Sequence, residues 1–115
     1  MSTLKVNTIQ NTSGVEVYTA KAWVNFNGTG TVAIRASGNV SSITDNGTGN
    51  YTANFTTALA DANYSVVTSS NRNNSYTDSQ VSGFFNPTTS AVSLAFGGPE
   101  GVSSDPVAFC IAVFR

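Results

Sequence analysis

The chain has 115 residues, of which 10% are charged, and its formal net charge at pH 7 is −1. This length suits a single domain, and so weak a charge lacks the electrostatic footprint of proteins that bind nucleic acid. The sequence contains no histidine and one cysteine, which excludes Ser-His-Asp catalysis, the usual zinc sites and a disulfide framework. Its 15 threonines, 15 serines and 13 asparagines favour strands joined by polar turns.

Residues 1–20 predict an N-terminal arm rather than part of the core. Leu4, Val6 and Ile9 give a short alternating pattern that is typical of a strand, and a turn signal follows at residues 11–14. So few apolar side chains cannot stabilise an isolated hairpin. Two interpretations stay open: a frayed terminus, or an arm whose Leu4, Val6 and Ile9 serve attachment or oligomerisation by pairing with a neighbouring subunit.

The rest of the chain is organised around two predicted β-hairpins in residues 21–55. In the first hairpin, apolar residues alternate with polar ones on both sides of a Gly-Thr-Gly loop at residues 28–30. A three-residue loop sets Val24 opposite Ile34 and brings the apolar side chains to one face, whereas a loop of two or four residues mixes the faces.

The same register predicts that Trp23 lies beside Arg35 on the outer face of the hairpin. An aromatic ring with a neighbouring cation is used by sugar-binding surfaces and by subunit interfaces. A purely structural interpretation is also open, since a cross-strand cation–π pair stabilises an outer face by about 0.5–1 kcal/mol.

The second hairpin is predicted to turn at residues 45–49, where Asp-Asn-Gly-Thr-Gly is a dense turn signal. Tyr51, Ala53 and Phe55 should point to one face, and the apolar residues before the turn change phase, which predicts a bulge near Ser41. The turn lacks the acidic third ligand and the closing glutamate of a calcium loop, so we interpret it as a hairpin turn alone.

Four further strands are predicted over residues 64–68, 81–85, 91–96 and 107–114. The last strand is apolar on both faces, so it is either central, with a second layer over its small residues, or its outer face meets another subunit. Eight antiparallel strands in residues 21–115 predict an all-β sandwich or jelly-roll-like knob.

Two stretches without apolar periodicity, residues 69–78 and 97–105, predict exposed loops. Because loops vary without cost to the core, they are where we expect any contact with a surface glycan. Amides and a guanidinium can hydrogen-bond sugar hydroxyls, and a tyrosine ring can stack on a sugar face. A solvated loop without a partner is the alternative. The candidate residues of the first loop are Asn71, Arg72, Asn73, Asn74 and Tyr76.

No arrangement of residues predicts catalysis, a metal site or a cofactor. The carboxylates are scattered, and all but Glu16 lie in predicted loops, so no acid–base pair is indicated. The tetrapeptide Asn-Gly-Thr-Gly occurs at Asn27 and at Asn46, which two similar turns explain. No stretch is long and apolar enough to insert in a bilayer, and no signal peptide is visible, which predicts assembly in a cytosol.

Four segments carry a resemblance to a known family. They are AKAWVNFNGTGTVAIR, ITDNGTGNYTANFTTALADANY, the opening STLKVNTIQNTSG and the ending CIAVFR. The first two are similar to a domain that recurs in tail-fibre and other appendage proteins of tailed phages, notably marine cyanophages. The opening and the ending resemble the first segment and the last strand of such proteins.

The resemblance implies a virion structural protein that is assembled in the host cytoplasm together with other virion proteins. It implies a compact homo-oligomer, expected to be a trimer, on the tail or capsid exterior, as a short fibre or a decoration that contributes to host attachment. A free carbohydrate-binding β-sandwich module is the alternative function. A small enzyme is disfavoured by the missing catalytic residues.

Overall fold

The computed structural model describes residues 3–73, 81–97 and 103–115, which form eight strands and no helix. The strands make two sheets with the orders β2-β1-β8-β5 and β3-β4-β7-β6, and every pairing is antiparallel. The predicted β-sandwich is therefore confirmed, while its finer likeness to a jelly roll stays a prediction. The strands are β1 (Ala22–Asn27), β2 (Ala33–Gly38), β3 (Val40–Gly47), β4 (Asn50–Phe55), β5 (Ser65–Asn71), β6 (Val81–Phe85), β7 (Ala91–Gly97) and β8 (Ala108–Phe114).

The core lies between the two sheets and is built around aromatic rings. Period-two alternation turns Phe26 of β1, Tyr51 of β4 and Phe109 of β8 inward, and none of the three is exposed. Phe26 stacks on Phe109 with ring centroids 5.5 Å apart. Phe26 and Tyr51 pack edge to face, with ring centroids 5.2 Å apart. Such contacts add about 0.5–1.5 kcal/mol per pair to the effect of burial.

The predicted register of the first hairpin is wrong. The structure pairs Phe26 with Ile34 and Trp23 with Gly38, and the register shifts between Asn25 and Phe26. The connection between the strands is also longer than three residues, since β2 begins at Ala33. The extra residue of the bulge is Arg35, which therefore does not face Trp23.

The second hairpin agrees with its prediction. Tyr51, Ala53 and Phe55 are buried, and the pairing of β3 with β4 skips from Val40 to Ser42, which confirms the bulge at Ser41. A second irregularity lies at the tip of the hairpin, where the ladder passes from Asp45 directly to Gly47 and leaves Asn46 outside the pairing.

Asn39 forms the corner where the chain leaves the first sheet and enters the second. Its φ is 55°, a left-handed conformation that asparagine tolerates better than most residues. Its Nδ2 donates to the carbonyl oxygens of Lys21 and Thr57, each at 3.0 Å, and its Oδ1 accepts from the Thr57 N–H at 2.7 Å. One side chain thus joins the start of β1, the corner and the segment that follows β4.

The last strand is central in its sheet, between β1 and β5. Phe109, Ile111 and Val113 are buried in the core, whereas Cys110 and Ala112 on the outer face are half-buried. No strand of the described residues packs over that outer face. The strand is therefore central in its sheet, as one of the two interpretations predicted, but the described residues supply no second layer over its small side chains. Contact of this outer face with another subunit stays a prediction.

The described arm, residues 3–20, contributes no strand. A tight turn closes at Asn11, whose Oδ1 accepts from the N–H groups of Ser13 and Val15, and Gln10 bridges to Glu16. The strand predicted from Leu4, Val6 and Ile9 does not form within this single chain. Ile9 accepts one backbone hydrogen bond, from the N–H of Val17 at 2.6 Å, whereas Leu4 and Val6 make none. The sandwich begins with β1 at Ala22, and the division of the chain into an arm and a sandwich domain stays a prediction.

Candidate functional site

An apolar row crosses the outer face of the first sheet. Trp23 lies directly between Gly38 of β2 and Ala112 of β8, and Ala112 is in turn opposite Val67 of β5. Trp23 is 41% exposed and Val67 is 60% exposed. The indole lies close against Gly38, where an added Cβ would lie 2.8 Å from its Cδ1, so the glycine makes room for the ring. We call Trp23, Ala112 and Val67 the apolar row.

Arg35 is separate from the apolar row. Its Nη2 donates to the carbonyl oxygen of Val107 at 2.6 Å, and its Nη1 lies 3.4 Å from the Oδ1 of Asn25. The bulge gives Arg35 this position, because it offsets β2 from the register that would have placed the guanidinium beside Trp23. A role for Trp23 or Arg35 in an interface stays a prediction.

The outer face of β3 and β4, in the second sheet, has the opposite character. Asn54 donates through Nδ2 to the hydroxyl oxygens of Ser42 and Thr44, at 3.1 and 3.0 Å. Further along, the Nδ2 of Asn46 donates to Thr52 Oγ1 at 2.8 Å. These polar side chains bond to one another across β3 and β4, so this face needs no partner to satisfy them.

The arm exposes a set of apolar side chains. Their exposed fractions run from 46% at Val17 to 84% at Leu4. In the described part of the chain, residues 3–8 make no hydrogen bond. The set comprises Leu4, Val6, Ile9, Val15, Val17 and Tyr18.

A cavity of about 500 Å³ separates the arm from one end of the sandwich. Val6 and Tyr18 line it on the arm side, and Phe114 and Arg115 line it on the other. Arg115 is held by a two-point contact with Asp61, with nitrogen–oxygen distances of 2.9 and 2.6 Å. These hydrogen bonds, helped by the N–H of Asn63, lower the pKa of Asp61 to about 2.

A second exposed apolar surface lies along β6, an edge strand of the second sheet. Val81 is 68% exposed, and Phe84 and Phe85 are also exposed. With Ala95 of β7 they border a mainly apolar depression of about 480 Å³. Edge strands of this kind present unpaired backbone groups and are common sites of strand addition.

Asp105 ties the last loop to the core, which sequence reasoning missed. The hydroxyl of Tyr51 donates to Asp105 Oδ1 at 2.6 Å and also lies 3.0 Å from the carbonyl oxygen of Gly28. The N–H of Gly49 donates to the same carboxylate oxygen at 2.9 Å. Burial first, and then the bond to Asp105, raise the pKa of Tyr51 above its ordinary value. We interpret the contact as a structural latch, because each of its groups bonds to another part of the chain.

The predicted glycan-binding loop is described only in part. Asn71 is the last residue of β5, so strand β5 extends three residues into the predicted loop. The N–H of Val107 donates to the carbonyl oxygen of Arg72 at 3.3 Å, and Asn73 is exposed. Asn74 and Tyr76 lie outside the described residues. A glycan-binding role for these five residues stays a prediction.

Among the described residues, no group of three or more metal-ligating side chains comes together, and no helix could cross a membrane. No protein-family model matches the sequence, and no curated protein or solved structure matches it.

Proposed function

We propose that this protein is a structural protein of a tailed-phage virion, an oligomeric β-knob on the tail or capsid exterior that is fixed in place by its arm. Two lines of support combine. The sequence segments described above resemble phage appendage proteins, and the sandwich, whose polar groups are hydrogen-bonded, is preceded by an arm with exposed apolar side chains and with no hydrogen bonds over residues 3–8. The arm is the observation that carries the proposal.

The sandwich and the arm differ in how many of their polar groups are hydrogen-bonded, and this difference supports attachment through the arm. Among the described residues of the sandwich, no polar or charged residue other than tyrosine is buried as a whole. One buried side-chain atom of a half-buried residue, Ser104 Oγ, has no hydrogen bond. In the arm, residues 3–8 have unpaired backbone groups beside side chains as apolar as Leu4 and Val6. Pairing with another chain would satisfy the backbone and bury the side chains together.

A homotrimer is the assembly that we propose, because the phage appendages that the sequence resembles are trimeric. The apolar row of the first sheet supports contact between copies, since covering an exposed Trp–Ala–Val surface lowers the free energy of the assembly. The polar outer face of β3 and β4 would then remain in solvent. We also propose that the loop that follows β5 contributes to contact with a host glycan, because amide and guanidinium groups hydrogen-bond sugar hydroxyls.

The test replaces the arm's apolar residues and measures assembly. A triple variant, Leu4→Ser, Val6→Ser and Ile9→Ser, should lose the oligomer in analytical ultracentrifugation and native mass spectrometry. The matched control, Asn7→Ser with Thr8→Ser, changes polar neighbours in the same arm and should assemble like the wild type. A wild-type protein that is monomeric at high concentration would contradict the proposal.

Electron cryomicroscopy of an intact particle tests the location. Density for a sandwich of this topology on the tail or capsid, with the arm ordered against another chain, is the expected result. An intact particle that contains the protein with the arm free in solvent would argue against attachment through the arm.

A free carbohydrate-binding module is the second candidate, favoured by the half-exposed Trp23 on the outer face of the first sheet. An exposed indole can stack on a sugar ring. If this function holds, the monomer should bind glycans on an array, Trp23→Ala should abolish the binding, and Val67→Ala in the same row should retain most of it. Assembly without glycan binding would favour the virion role.

A further inference from the structure

The tetrapeptide Asn-Gly-Thr-Gly occurs twice, beginning at Asn27 and at Asn46. Asparagine followed by glycine is chemically labile, because the glycine has no Cβ to hinder attack of its backbone nitrogen on the side-chain amide carbon. Since the residues that follow are identical, the two sites should be equally reactive in an unfolded chain. Any difference in the folded protein then comes from structure.

The site at Asn27 is closed to this reaction. Its Nδ2 donates to the carbonyl oxygens of Thr29 and Thr31, at 2.8 and 3.2 Å, and its Oδ1 accepts from the N–H and the hydroxyl of Thr29. The attacking atom, the nitrogen of Gly28, donates to the carbonyl oxygen of Pro106 at 2.9 Å in a buried position. Reaction requires these bonds to break together.

The backbone around Gly28 is also crowded. A Cβ placed there would lie 2.6 Å from the Tyr51 hydroxyl and 2.8 Å from the Cδ of Pro106. The nitrogen of Gly28 therefore cannot swing toward the Asn27 side chain without displacing the latch that Tyr51 forms with Asp105. Local opening of this end of the sandwich must come first.

The site at Asn46 is open. Asn46 and Gly47 are exposed, and Asn46 is the residue that the ladder between β3 and β4 skips. The side chain makes one hydrogen bond, to the hydroxyl of the half-buried Thr52, and the nitrogen of Gly47 donates to the carboxylate of Asp45 at 3.1 Å. Nothing within 4 Å would meet a Cβ at Gly47, so this backbone has room to move.

We propose that Asn46 is a site of spontaneous deamidation in the folded protein and that Asn27 is protected. The nitrogen of Gly47, after losing its proton to solvent base, attacks Cγ of Asn46. This attack closes a five-membered ring, the departing Nδ2 takes a proton from solvent, and the Cγ–Nδ2 bond breaks to release ammonia and leave a succinimide. Water then opens the ring at one of its two carbonyl carbons, giving aspartate or isoaspartate with no change in oxidation state.

The product alters the tip of the second hairpin. A new carboxylate appears next to Asp45, and the net charge becomes more negative by one. The isoaspartate form adds a methylene to the backbone at the existing bulge, where the ladder is already interrupted. The modification removes the hydrogen bond from Asn46 Nδ2 to Thr52 but breaks no backbone pair of the ladder, because residue 46 has none. It can therefore accumulate in the folded protein, and it would mark the age of a particle or a preparation.

The experiment incubates the full-length protein at mildly alkaline pH in water enriched in oxygen-18 and follows both sites by peptide mass spectrometry. A parallel sample in concentrated urea gives the rates of the unfolded chain. The Asn46→Asp variant supplies the retention time of the aspartate product. This design does not depend on the protein's function or its assembly.

In the folded protein we expect modification at Asn46 to be faster than at Asn27 by about tenfold or more, because only Asn27 requires local opening. In urea the two rates should agree within a few-fold. Equal rates in the folded protein would overturn the proposal. So would an unmodified Asn46 over a time in which the unfolded chain reacts to completion.

Discussion

The arm and the sandwich are built from the same types of residue but use them differently. In the sandwich, Phe26 and Phe109 are fully buried and Tyr51 has a partner for its hydroxyl. In the arm, Leu4 and Tyr18 are largely exposed. The difference shows that the apolar residues of the arm do not serve the stability of their own chain, so any free energy they contribute must come from contact with something else.

The largest effect on stability is expected from the core. Phe109→Ala should lower the free energy of unfolding by about 3–5 kcal/mol, because it removes a ring packed against three other aromatic residues. Phe114→Ala is the matched control, since it removes the same side chain from the same strand at a position that is 37% exposed. Its cost should be about 1 kcal/mol or less in urea unfolding. Equal losses would show that the core is placed wrongly.

The second prediction concerns the hydroxyl of Tyr51. Tyr51→Phe should cost about 1–3 kcal/mol, because Asp105 loses its closest hydrogen-bond donor. Tyr18→Phe in the exposed arm removes the same hydroxyl and should change nothing measurable. A latch that contributed no stability would give the two variants identical unfolding curves.

Tyr51→Phe should also change how the free energy of unfolding depends on pH in alkaline solution. Burial raises the pKa of Tyr51 above its ordinary value of 10.0, so the stability contribution is fully present below pH 10 and is lost as the pH rises beyond it. The wild type should therefore lose stability more steeply above pH 10 than Tyr51→Phe does. The pKa of Tyr64, which burial also raises, affects both proteins alike.

A smaller effect is expected at Asp61. Arg115 lowers the pKa of this carboxyl from 3.8 to about 2, so its contribution is present above about pH 4 and is lost as the pH falls toward 2. Asp61→Asn should be slightly less stable than the wild type near neutrality, and the difference should disappear in strong acid. Both side chains are well exposed, so salt should weaken the effect. Glu16→Gln in the arm is the control, with no expected change.

The smallest effect is expected from the arm. The triple variant at Leu4, Val6 and Ile9 should leave the unfolding of the isolated subunit unchanged, since none of these side chains is buried in it. Denaturant unfolding at a concentration where the subunit is monomeric makes the measurement. A loss of more than about 1 kcal/mol would mean that the arm packs on its own sandwich, and the comparison between the two regions would fail.

The architecture could be predicted because it rests on alternation that each strand carries by itself. Tyr51, Ala53 and Phe55 show their shared face in the sequence, and the phase change at Ser41 reveals its bulge. The register of the first hairpin could not be derived in this way. Its connection is stabilised by the side chain of Asn27, which reaches the carbonyl oxygen of Thr31, so the turn is longer than its two glycines suggest.

Features that depend on distant pairing were also beyond the sequence. Ser69, Ser70 and Asn71 look like a polar loop, but β8 pairs with them and extends β5 to Asn71. Asp105 bonds to Tyr51 across 54 residues, and nothing near either residue signals the contact. Among the candidate site residues, the exposure of Leu4, Val6 and Ile9 followed from their isolation, whereas the position of Arg35 depended on a bulge that no local pattern marks.

The junction at Lys21 has a mechanical consequence. Its N–H donates to the carbonyl oxygen of Val113 at 2.7 Å, and its own carbonyl oxygen accepts from Asn39, so both of its backbone groups are anchored to different strands or corners. A pull on the arm would be shared by β8 and the corner between the sheets before it reached β1. Beyond the junction, β1 lies between two antiparallel neighbours, and tension along it would load both ladders of hydrogen bonds in shear. The sandwich is thus joined to its arm at a point that would spread tension over much of the first sheet.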